Sequence, residues 1–128
     1  MFIVTNRNIN RSNFKNGVGD EKAFGDGFNK KGPVEVRLAR AEKVNSRWRV
    51  KLIAEPKKIT RSNIPSKKEF FKLRDHLVKS KKNCVFFLHG FNQSFKKNIE
   101  KALAMEEKHG VEVIAFSWPS NPGGFKTK

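Results

Sequence analysis

The residues with the clearest chemical potential are one histidine and three serines that stand in turns beside two short apolar runs. His89 follows the first run and Ser94 lies in the turn after it, whereas Ser117 and Ser120 follow the second run. Serine hydrolases use serine as the nucleophile and histidine as the base, together with an orienting acid and hydrogen-bond donors for an oxyanion. Whether these side chains can act together depends on the elements that hold them.

A strand–helix–strand unit over residues 83–124 must position these side chains. Cys84–Leu88 is a continuous apolar run bounded by polar residues and Gly90, which predicts a strand buried on both faces. Residues 94–109 carry apolar side chains at helical spacing, and residues 111–116 form the second run. This order predicts a βαβ unit whose two strands lie parallel in one sheet.

The upstream chain predicts additional strands that are antiparallel. Residues 2–5 form a short β-branched strand, and residues 34–39 and 47–53 alternate apolar and polar side chains. Asn45-Ser46 between the last two indicates a hairpin. Residues 6–32 are polar and rich in Asn, Gly and Lys, which predicts a long irregular loop, partly disordered. Three aromatic residues are expected to pin this loop: Phe14, Phe24 and Phe28.

A basic linker, residues 55–65, and one helix join these strands to the βαβ unit. Ser66 and Glu69 have the spacing of a capping box, so we expect the helix to begin at Ser66. It is expected to end in the basic residues 79–82, because cations are favourable at a helix C-terminus. Five residues give it an apolar face: Phe70, Phe71, Leu73, Leu77 and Val78.

Together these elements predict a single three-layer α/β domain over residues 1–128. Its mixed sheet is expected to combine antiparallel N-terminal strands with one parallel βαβ unit. Within it, residues 1–56 hold the antiparallel strands and the long loop, 57–82 the linker and helix, and 83–124 the βαβ unit. A chain of 128 residues can bury about two-thirds of its unfolded surface.

Four short motifs give this pattern a family resemblance. A buried strand that ends in His-Gly-Phe resembles the third strand of an α/β-hydrolase, where the His-Gly step leads into the oxyanion loop. In their order, the motifs resemble the N-terminal half of a bacterial α/β-hydrolase-fold family of unknown function, and the last two are the more specific. They are Thr5-Asn6-Arg7, Ala23-Phe24-Gly25, His89-Gly90-Phe91-Asn92 and Phe116-Ser117-Trp118-Pro119-Ser120.

The resemblance implies a serine esterase or acyl-hydrolase ancestry with an incomplete site. α/β-Hydrolases carry the nucleophile on a Gly-x-Ser-x-Gly elbow, followed by the acid and the histidine. None of Ser94, Ser117 and Ser120 has the flanking glycines, and the resemblance covers only about half of the family's domain. We therefore expect a chain that retains the oxyanion loop, lacks the catalytic serine, acid and base, and is inactive alone.

The oxyanion loop implied by the resemblance is His89, Gly90 and Phe91. The backbone N–H of Phe91 is its expected donor, Gly90 permits the tight turn, and His89 is expected to be architectural. The alternative is a plain turn between a strand and a helix. Trp118 either lines a cleft at the strand ends or caps the core. The possible cleft residues are Asn92, Ser117, Trp118 and Ser120.

The remaining titratable residues indicate no second site. His76 lies beside the apolar face of the first helix, and adjacent Asp75 cannot face it because sequence neighbours on a helix diverge. His109 falls in the last helical turn. The histidines and Cys84 lack metal-ligand spacing, and we expect no cofactor. Arg7 is expected to pair with a carboxylate or carbonyl that the sequence does not identify.

Charge and composition suggest partners and a compartment. The net charge is +16, which attracts polyanions, so a basic binding module for nucleic acid or an acidic protein is the alternative function. An open parallel edge at residues 111–116 is expected to recruit a homodimer partner or a completing polypeptide. With one cysteine, no apolar run of membrane-spanning length and no leader pattern, we expect a cytoplasmic protein.

Overall fold

The computed structural model describes residues 1–53, 60–62 and 64–120. Along these residues, the chain forms nine strands, one 3₁₀ turn and two α-helices. The strands are β1 Phe2–Thr5, β2 Arg7–Ile9, β3 Phe14–Lys15, β4 Val18–Gly19, β5 Phe24–Phe28, β6 Arg37–Val44, β7 Arg47–Leu52, β8 Cys84–Leu88 and β9 Glu112–Ser117. The helices are α1 Pro65–Ser80 and α2 Phe95–His109, and the 3₁₀ turn is Arg11–Asn13.

Seven strands form one mixed sheet in the order β3-β4-β7-β6-β1-β9-β8. Strand β1 is the junction, because it pairs antiparallel with β6 on one side and parallel with β9 on the other. Strands β8 and β9 are also parallel, as the βαβ prediction required. A separate two-stranded sheet joins β2 to β5. The predicted α/β fold with a mixed sheet is confirmed.

The two helices lie on opposite faces of the large sheet and produce three layers. Leu73 of α1 packs with Phe2 and Ile114 in the smaller core cluster. The larger cluster lies on the other face, where Phe95 and Ile99 of α2 pack with residues that include Ile3, Val50, Val113 and Ala115. Alternation along β1 and β9 sends neighbouring side chains into the two clusters.

The predicted hairpin is confirmed, with one shifted strand. Strands β6 and β7 pair antiparallel, and Asn45 and Ser46 both have positive φ, 49° and 61°. Two positive φ values in a two-residue loop match the twist of the flanking strands. The strand predicted at residues 34–39 instead occupies Arg37–Val44, where β1 and β7 supply hydrogen-bonding partners on both sides. Val34 is 84% exposed, outside the strand.

The loop predicted over residues 6–32 was wrong in part, because four short strands run through it. Each of these strands is only two to five residues long, so the alternation of apolar and polar residues that indicates a strand is too short to recognise in the sequence. One local signal was present: Asn16-Gly17 joins β3 to β4 with φ of 52° and 77°, a favoured hairpin sequence. Phe14 and Phe24 pack edge to face and pin the segment, whereas Phe28 is exposed.

Helix α1 begins differently from the capping-box prediction. Its N-cap is Ile64, with no side-chain cap, and Pro65 is the first helical residue. Proline suits that position because its fixed φ is helical and it has no N–H to satisfy. Glu69 therefore does not close a capping box and instead forms ion pairs with Arg40 and Lys72. Most of the predicted linker over residues 55–65, namely 55–59 and residue 63, lies outside the described residues.

The apolar face of α1 is only partly used. Leu73 is the buried residue of the helix and Leu77 is half-buried. Phe70, Phe71 and Val78 are exposed. The helix thus anchors to the sheet through a narrow stripe and leaves apolar side chains without a covering layer.

The position of β8 in the sheet shows that two predictions from the sequence were wrong. It was expected to be buried on both faces, but it is the edge of the sheet, and Phe86 and Leu88 are 63% and 65% exposed. The open edge was expected at residues 111–116, but β9 lies between β1 and β8 and is paired on both sides. Sequence order suggested that the last strand is outermost, whereas β9 inserts beside β1.

Helix α2 agrees with the prediction for residues 94–109. Ser94 is its N-cap, and its side chain accepts a hydrogen bond from Lys97 N at 3.2 Å. Gly110 ends the helix in the left-handed region with φ of 61°. Neither described helix is long and apolar enough to cross a bilayer.

Amide hydrogen exchange tests the position of β8. Because β8 has one neighbour among the described strands, we expect its alternate amides that face away from β9 to exchange at nearly unprotected rates. The amides of β9 serve as the internal control and should exchange slowly. NMR-detected exchange at low protein concentration measures both. Protection of every β8 amide to the level of β9 would contradict the edge assignment.

Candidate functional site

The carboxyl ends of β1, β8 and β9 meet at one edge of the sheet, where open α/β sheets bind ligands. Three of the four sequence motifs continue the chain from these strand ends: Thr5-Asn6-Arg7 from β1, His89-Gly90-Phe91-Asn92 from β8 and Ser117-Trp118-Pro119-Ser120 from β9. The parallel pairing of the strands therefore brings distant motifs together.

The guanidinium group of Arg7 connects these motifs and has no exposed side-chain surface. Its Nε donates to Ser117 Oγ at 2.9 Å and its Nη2 to the carbonyl of Gln93 at 2.6 Å. Its Nη1 donates to the carbonyl of Gly25 at 3.1 Å and to Asp26 Oδ1 at 3.2 Å. The side chain of Arg7, in the first motif, thus connects the second and last motifs to the turn that precedes α2.

The charge of Arg7 is balanced by a carboxylate that reaches water. Burial lowers the pKa of Arg7, and the carboxylate of Asp26 opposes that shift. The side chain of Asp26 is 59% exposed, so only the cation is fully desolvated. The sequence predicted a carboxylate or carbonyl partner for Arg7, and the structure supplies one carboxylate and two carbonyls.

Gly25 explains the second motif. A Cβ at this position would lie 2.6 Å from Asn8 Oδ1, so any other residue would displace the Asn8 side chain. Asn8 Oδ1 accepts a hydrogen bond from Gly27 N at 3.1 Å. The close packing of Gly25 against Asn8 places the Gly25 carbonyl within hydrogen-bonding distance of Arg7.

His89 is a buried connector between the strand end and the last motif. Its Nε2 accepts a hydrogen bond from Trp118 N at 3.0 Å, while its Nδ1 lies 2.7 Å from the Gly90 carbonyl. A carbonyl can only accept, so Nδ1 carries the proton and the ring is neutral. The Trp118 ring stacks on His89 and its Nε1 donates to the His89 carbonyl at 3.3 Å.

The pKa of His89 is consistent with this role. Burial lowers it below the ordinary value, and the positive charge of Arg7 adds to the shift, while the hydrogen bond to Gly90 opposes it. Both ring nitrogens are engaged in the fold. The ring is therefore placed to hold the loop in position rather than to take a proton from a substrate.

The three candidate serines are all engaged in local structure. Ser94 caps α2. Ser117 is fully buried, and its hydroxyl accepts from Arg7. Ser120 is nearly fully buried; its hydroxyl accepts from Gln93 N at 2.8 Å, and its carbonyl accepts from Asn92 N at 2.8 Å. None of them stands on an exposed turn at a strand end, as an elbow nucleophile must.

The predicted oxyanion loop lies at the surface between these anchored points. Gly90, Phe91 and Asn92 are exposed, and Asn92 adopts a positive φ of 58°. His89 holds the start of the loop through Trp118, and the Asn92 N–H holds its end through Ser120. The predicted cleft residues are thus brought together, but Ser117 and Ser120 are buried beneath the surface.

The remaining histidines lie away from this network. Asp75 pairs with Arg74 at 2.8 Å, whereas His76 Nε2 lies 3.7 Å from Glu112, so the two neighbours do not form a dyad. His109 is exposed in the last turn of α2. Among the described residues, no group of three His, Cys, Asp or Glu side chains is arranged to hold a metal ion.

Sequence reasoning missed three members of the network: Thr5, Asp26 and Gln93. The Thr5 hydroxyl accepts from Arg7 N at 3.1 Å and donates to the Ser117 carbonyl at 2.7 Å. Thr5 belonged to a quoted motif, but its contact spans 112 positions in the chain. Gln93 contributes only backbone atoms to Arg7, so its side chain gave no signal.

Comparison with known proteins agrees with these motifs. Residues 66–126 match the family model described as "Alpha/beta hydrolase of unknown function (DUF900)". This segment, slightly less than half of the chain, is similar to an α/β-hydrolase family of unknown function. The match confirms the family resemblance there and includes the third and fourth motifs, whereas the first two lie outside it. No curated protein and no solved structure matches the chain.

Replacing Arg7 tests whether the buried guanidinium group holds the α/β-hydrolase segment to the N-terminal strands. Arg7→Lys keeps the charge but cannot reach all four acceptors, so we expect a loss of about 2–4 kcal/mol in the free energy of unfolding. Arg47→Lys, at an exposed position of β7, is the control and should change stability by less than about 0.5 kcal/mol. Urea denaturation measures both, and equal midpoints would contradict the role of Arg7.

The lowered pKa of His89 predicts a pH dependence of stability with a definite sign. The unfolded histidine takes a proton near its ordinary pKa of about 6.5, while the folded ring resists protonation. Stability is therefore full above that value and falls as pH drops below it, by up to about 1.4 kcal/mol per pH unit.

Denaturation between pH 7 and pH 5 measures this slope, a window that lies above the ordinary range of carboxylates. His89→Asn should flatten it, whereas His109→Asn, at an exposed position, should retain it. An NMR titration of the His89 ring in the unaltered chain gives an independent reading. A ring that titrates at or above 6.5 would overturn the prediction.

Proposed function

We propose that this chain is the oxyanion-loop portion of an α/β-hydrolase, inactive alone, which another polypeptide completes along β8. One observation carries the proposal: the His89-Gly90-Phe91 turn leaves the carboxyl end of β8, and β8 is an open edge. A reacting group supplied by a neighbouring strand would reach the sheet beside that turn. The chemistry proposed for the completed site is hydrolysis of an ester-like acyl bond.

The geometry of the loop supports an oxyanion role. The loop is anchored at His89 and at Asn92, which leaves Gly90 and Phe91 as the exposed span between two fixed points. A preorganised backbone N–H stabilises a developing oxyanion because it needs no reorganisation during the reaction. The N–H of Phe91 is the proposed donor.

The absence of catalytic competence in the isolated chain is also part of the proposal. Ser94, Ser117 and Ser120 are used in a helix cap and in buried hydrogen bonds. His89 is held as a neutral structural ring. The nucleophile, base and acid must then come from elsewhere. Trp118, with Asn92, is proposed to form the wall of the completed cleft.

The exposed apolar surface at β8 favours a protein partner. Phe86 and Leu88 lie on the same face of the sheet as Ile114, and that face also carries α1 with exposed Phe70 and Val78. An added strand would satisfy the β8 backbone, and a helix above it would cover these side chains. A homodimer would bring two chains of charge +16 together, so a separate completing polypeptide is favoured over a second copy.

The single cysteine supports a reducing compartment. Cys84 is a free thiol that lies exposed on β8. Exposed thiols persist in the cytoplasm, whereas oxidising compartments favour disulfides. A cytoplasmic location is accordingly proposed.

A fluorophosphonate probe tests the proposed inactivity. The probe forms a covalent bond only with an activated serine, so intact mass should show no stoichiometric adduct on the purified chain. An active serine esterase labelled in the same tube is the control for the probe. An adduct mapped by peptide analysis to Ser94, Ser117 or Ser120 would show that the chain builds its own site and would overturn the proposal.

Net charge favours a second candidate function, a basic module for nucleic acid or an acidic protein. The chain carries 28 Lys and Arg residues against 12 Asp and Glu residues. Such an excess attracts polyanions at long range. Charge alone, however, assigns neither a surface nor a ligand.

A further inference from the structure

The antiparallel half of the sheet presents an open face of regularly placed cations. Cross-strand partners share a face, and the register pairs Arg40 with Lys51 and Glu42 with Arg49. Arg47 continues the row along β7, because side chains two residues apart point the same way. We call this surface the basic face. Its cations are Lys15, Arg40, Arg47, Arg49 and Lys51 of the strands and Lys68 and Lys72 of α1.

Two shallow depressions show that the face is open and continuous. One, of about 570 Å³, lies between α1 and the strands, and its cationic lining is Arg40, Lys51, Lys68 and Lys72. The other, of about 230 Å³, is lined by Arg40, Arg49 and Lys51 beside Val18. They share Arg40 and Lys51, so one extended ligand can contact both.

The described residues of the basic face carry more cations than carboxylates. Their carboxylates are Glu42, 3.7 Å from Arg49, and Glu69, which pairs with Arg40 and Lys72. Seven cations against two carboxylates leave an excess of five positive charges. An exposed excess of this size is suited to a polyanion, because each phosphate neutralised releases counterions.

The spacing of the cations favours a repeating ligand. Arg47, Arg49 and Lys51 alternate along β7, so their Cα atoms are about 6.8 Å apart from one to the next. The row therefore spans about 14 Å, and the neighbouring β6 places Arg40 beside its end. A straight row at constant spacing suits an extended phosphate backbone rather than a single phosphate group.

The composition of the face favours a duplex. Proteins that hold single strands stack bases on exposed aromatic rings. The described strands of the basic face expose none, because Phe2 lies buried beneath Arg40 and Trp48 points into the opposite core. On α1, the ring of Phe71 is 40% exposed and lies beneath the cations of Lys67 and Arg74. The exposed apolar side chain that the strand register places on this face is Val44, the partner of Arg47, and it is smaller than the Trp, Phe and Leu side chains that anchor a helix in a membrane. Its available contacts are with phosphates, which position a duplex without reading sequence.

We propose that the basic face binds the phosphate backbone of double-stranded nucleic acid independently of sequence. The inference rests on the second candidate function and gives it a surface and a ligand class. It is independent of sheet completion, since β8 lies at the opposite edge of the sheet from β3 and β4. The completed hydrolase-like assembly would then be held at a polyanion.

A matched pair of charge variants tests the surface. The face variant is Arg47→Gln, Arg49→Gln and Lys51→Gln. The control is Lys30→Gln, Lys97→Gln and Lys108→Gln, which removes the same charge from exposed positions outside the face. Fluorescence anisotropy with a 20-base-pair DNA duplex, the equivalent RNA duplex and a single strand, across a salt series, measures affinity and its salt slope.

We expect duplex binding by the unaltered chain, at least about tenfold weaker binding by the face variant at 100 mM salt, and a log–log salt slope that is smaller by about two to three. The control should stay within about threefold of the unaltered chain. Comparison of the affinities for the DNA duplex and the RNA duplex shows which of the two nucleic acids the basic face binds more tightly.

Other outcomes overturn the inference at different levels. Equal losses in both variants would leave polyanion binding as a property of net charge and reject the basic face. Tighter binding to the single strand, or preferential binding to vesicles with anionic lipid, would reject the duplex. Absence of salt-sensitive binding would reject the second candidate function itself. The fluorophosphonate result is unaffected in every case.

Discussion

The structure depends on one desolvated guanidinium group. Arg7 lies after the first strand, yet its partners belong to the second motif, to the turn before α2 and to the last strand. A buried cation is tolerated only where its donors are satisfied, so these backbone segments must hold their positions together. The same contacts link the end of β9 and the turn that follows β8 to the residue that follows β1, at the edge where the motifs meet. Conformational specificity here comes from polar contacts rather than from apolar packing alone.

Local sequence signals predicted where the helices and strands lie in the chain better than they predicted which of these elements are adjacent in the fold. The α2 boundaries and the Asn45-Ser46 hairpin were predictable because capping and turn preferences act within a few residues. The position of β8 was not, since an apolar run of five residues reads as a central strand whether or not a neighbour covers it. The motif resemblance identified the residues of the site, but their hydrogen-bond partners depend on strand order, which local patterns do not encode.

The parallel part of the sheet, at β8, and the antiparallel part, at β6 and β7, have different surface chemistry. At β8, apolar side chains and free backbone groups lie open, which suits a folded polypeptide. At β6 and β7, the same face carries alternating cations, which suits a highly charged ligand. Both proposals therefore draw on one sheet face, with α1 between them, and neither requires the other. The hydrolase resemblance bears only on the proposal for the β8 edge.

The pairing of β1 with β9 has a consequence for the synthesis of the chain. Thr5 is synthesised long before Ser117, and the hydrogen bond between them spans 112 positions. Non-local contacts of this kind slow folding, because loop closure must precede them. On the ribosome, β1 can pair with β6 before β9 is made, but the other edge of β1 and the apolar side chain of Ile3 stay uncovered until β9 has emerged. The uncovered edge and side chain are the surfaces on which a chaperone would act during synthesis.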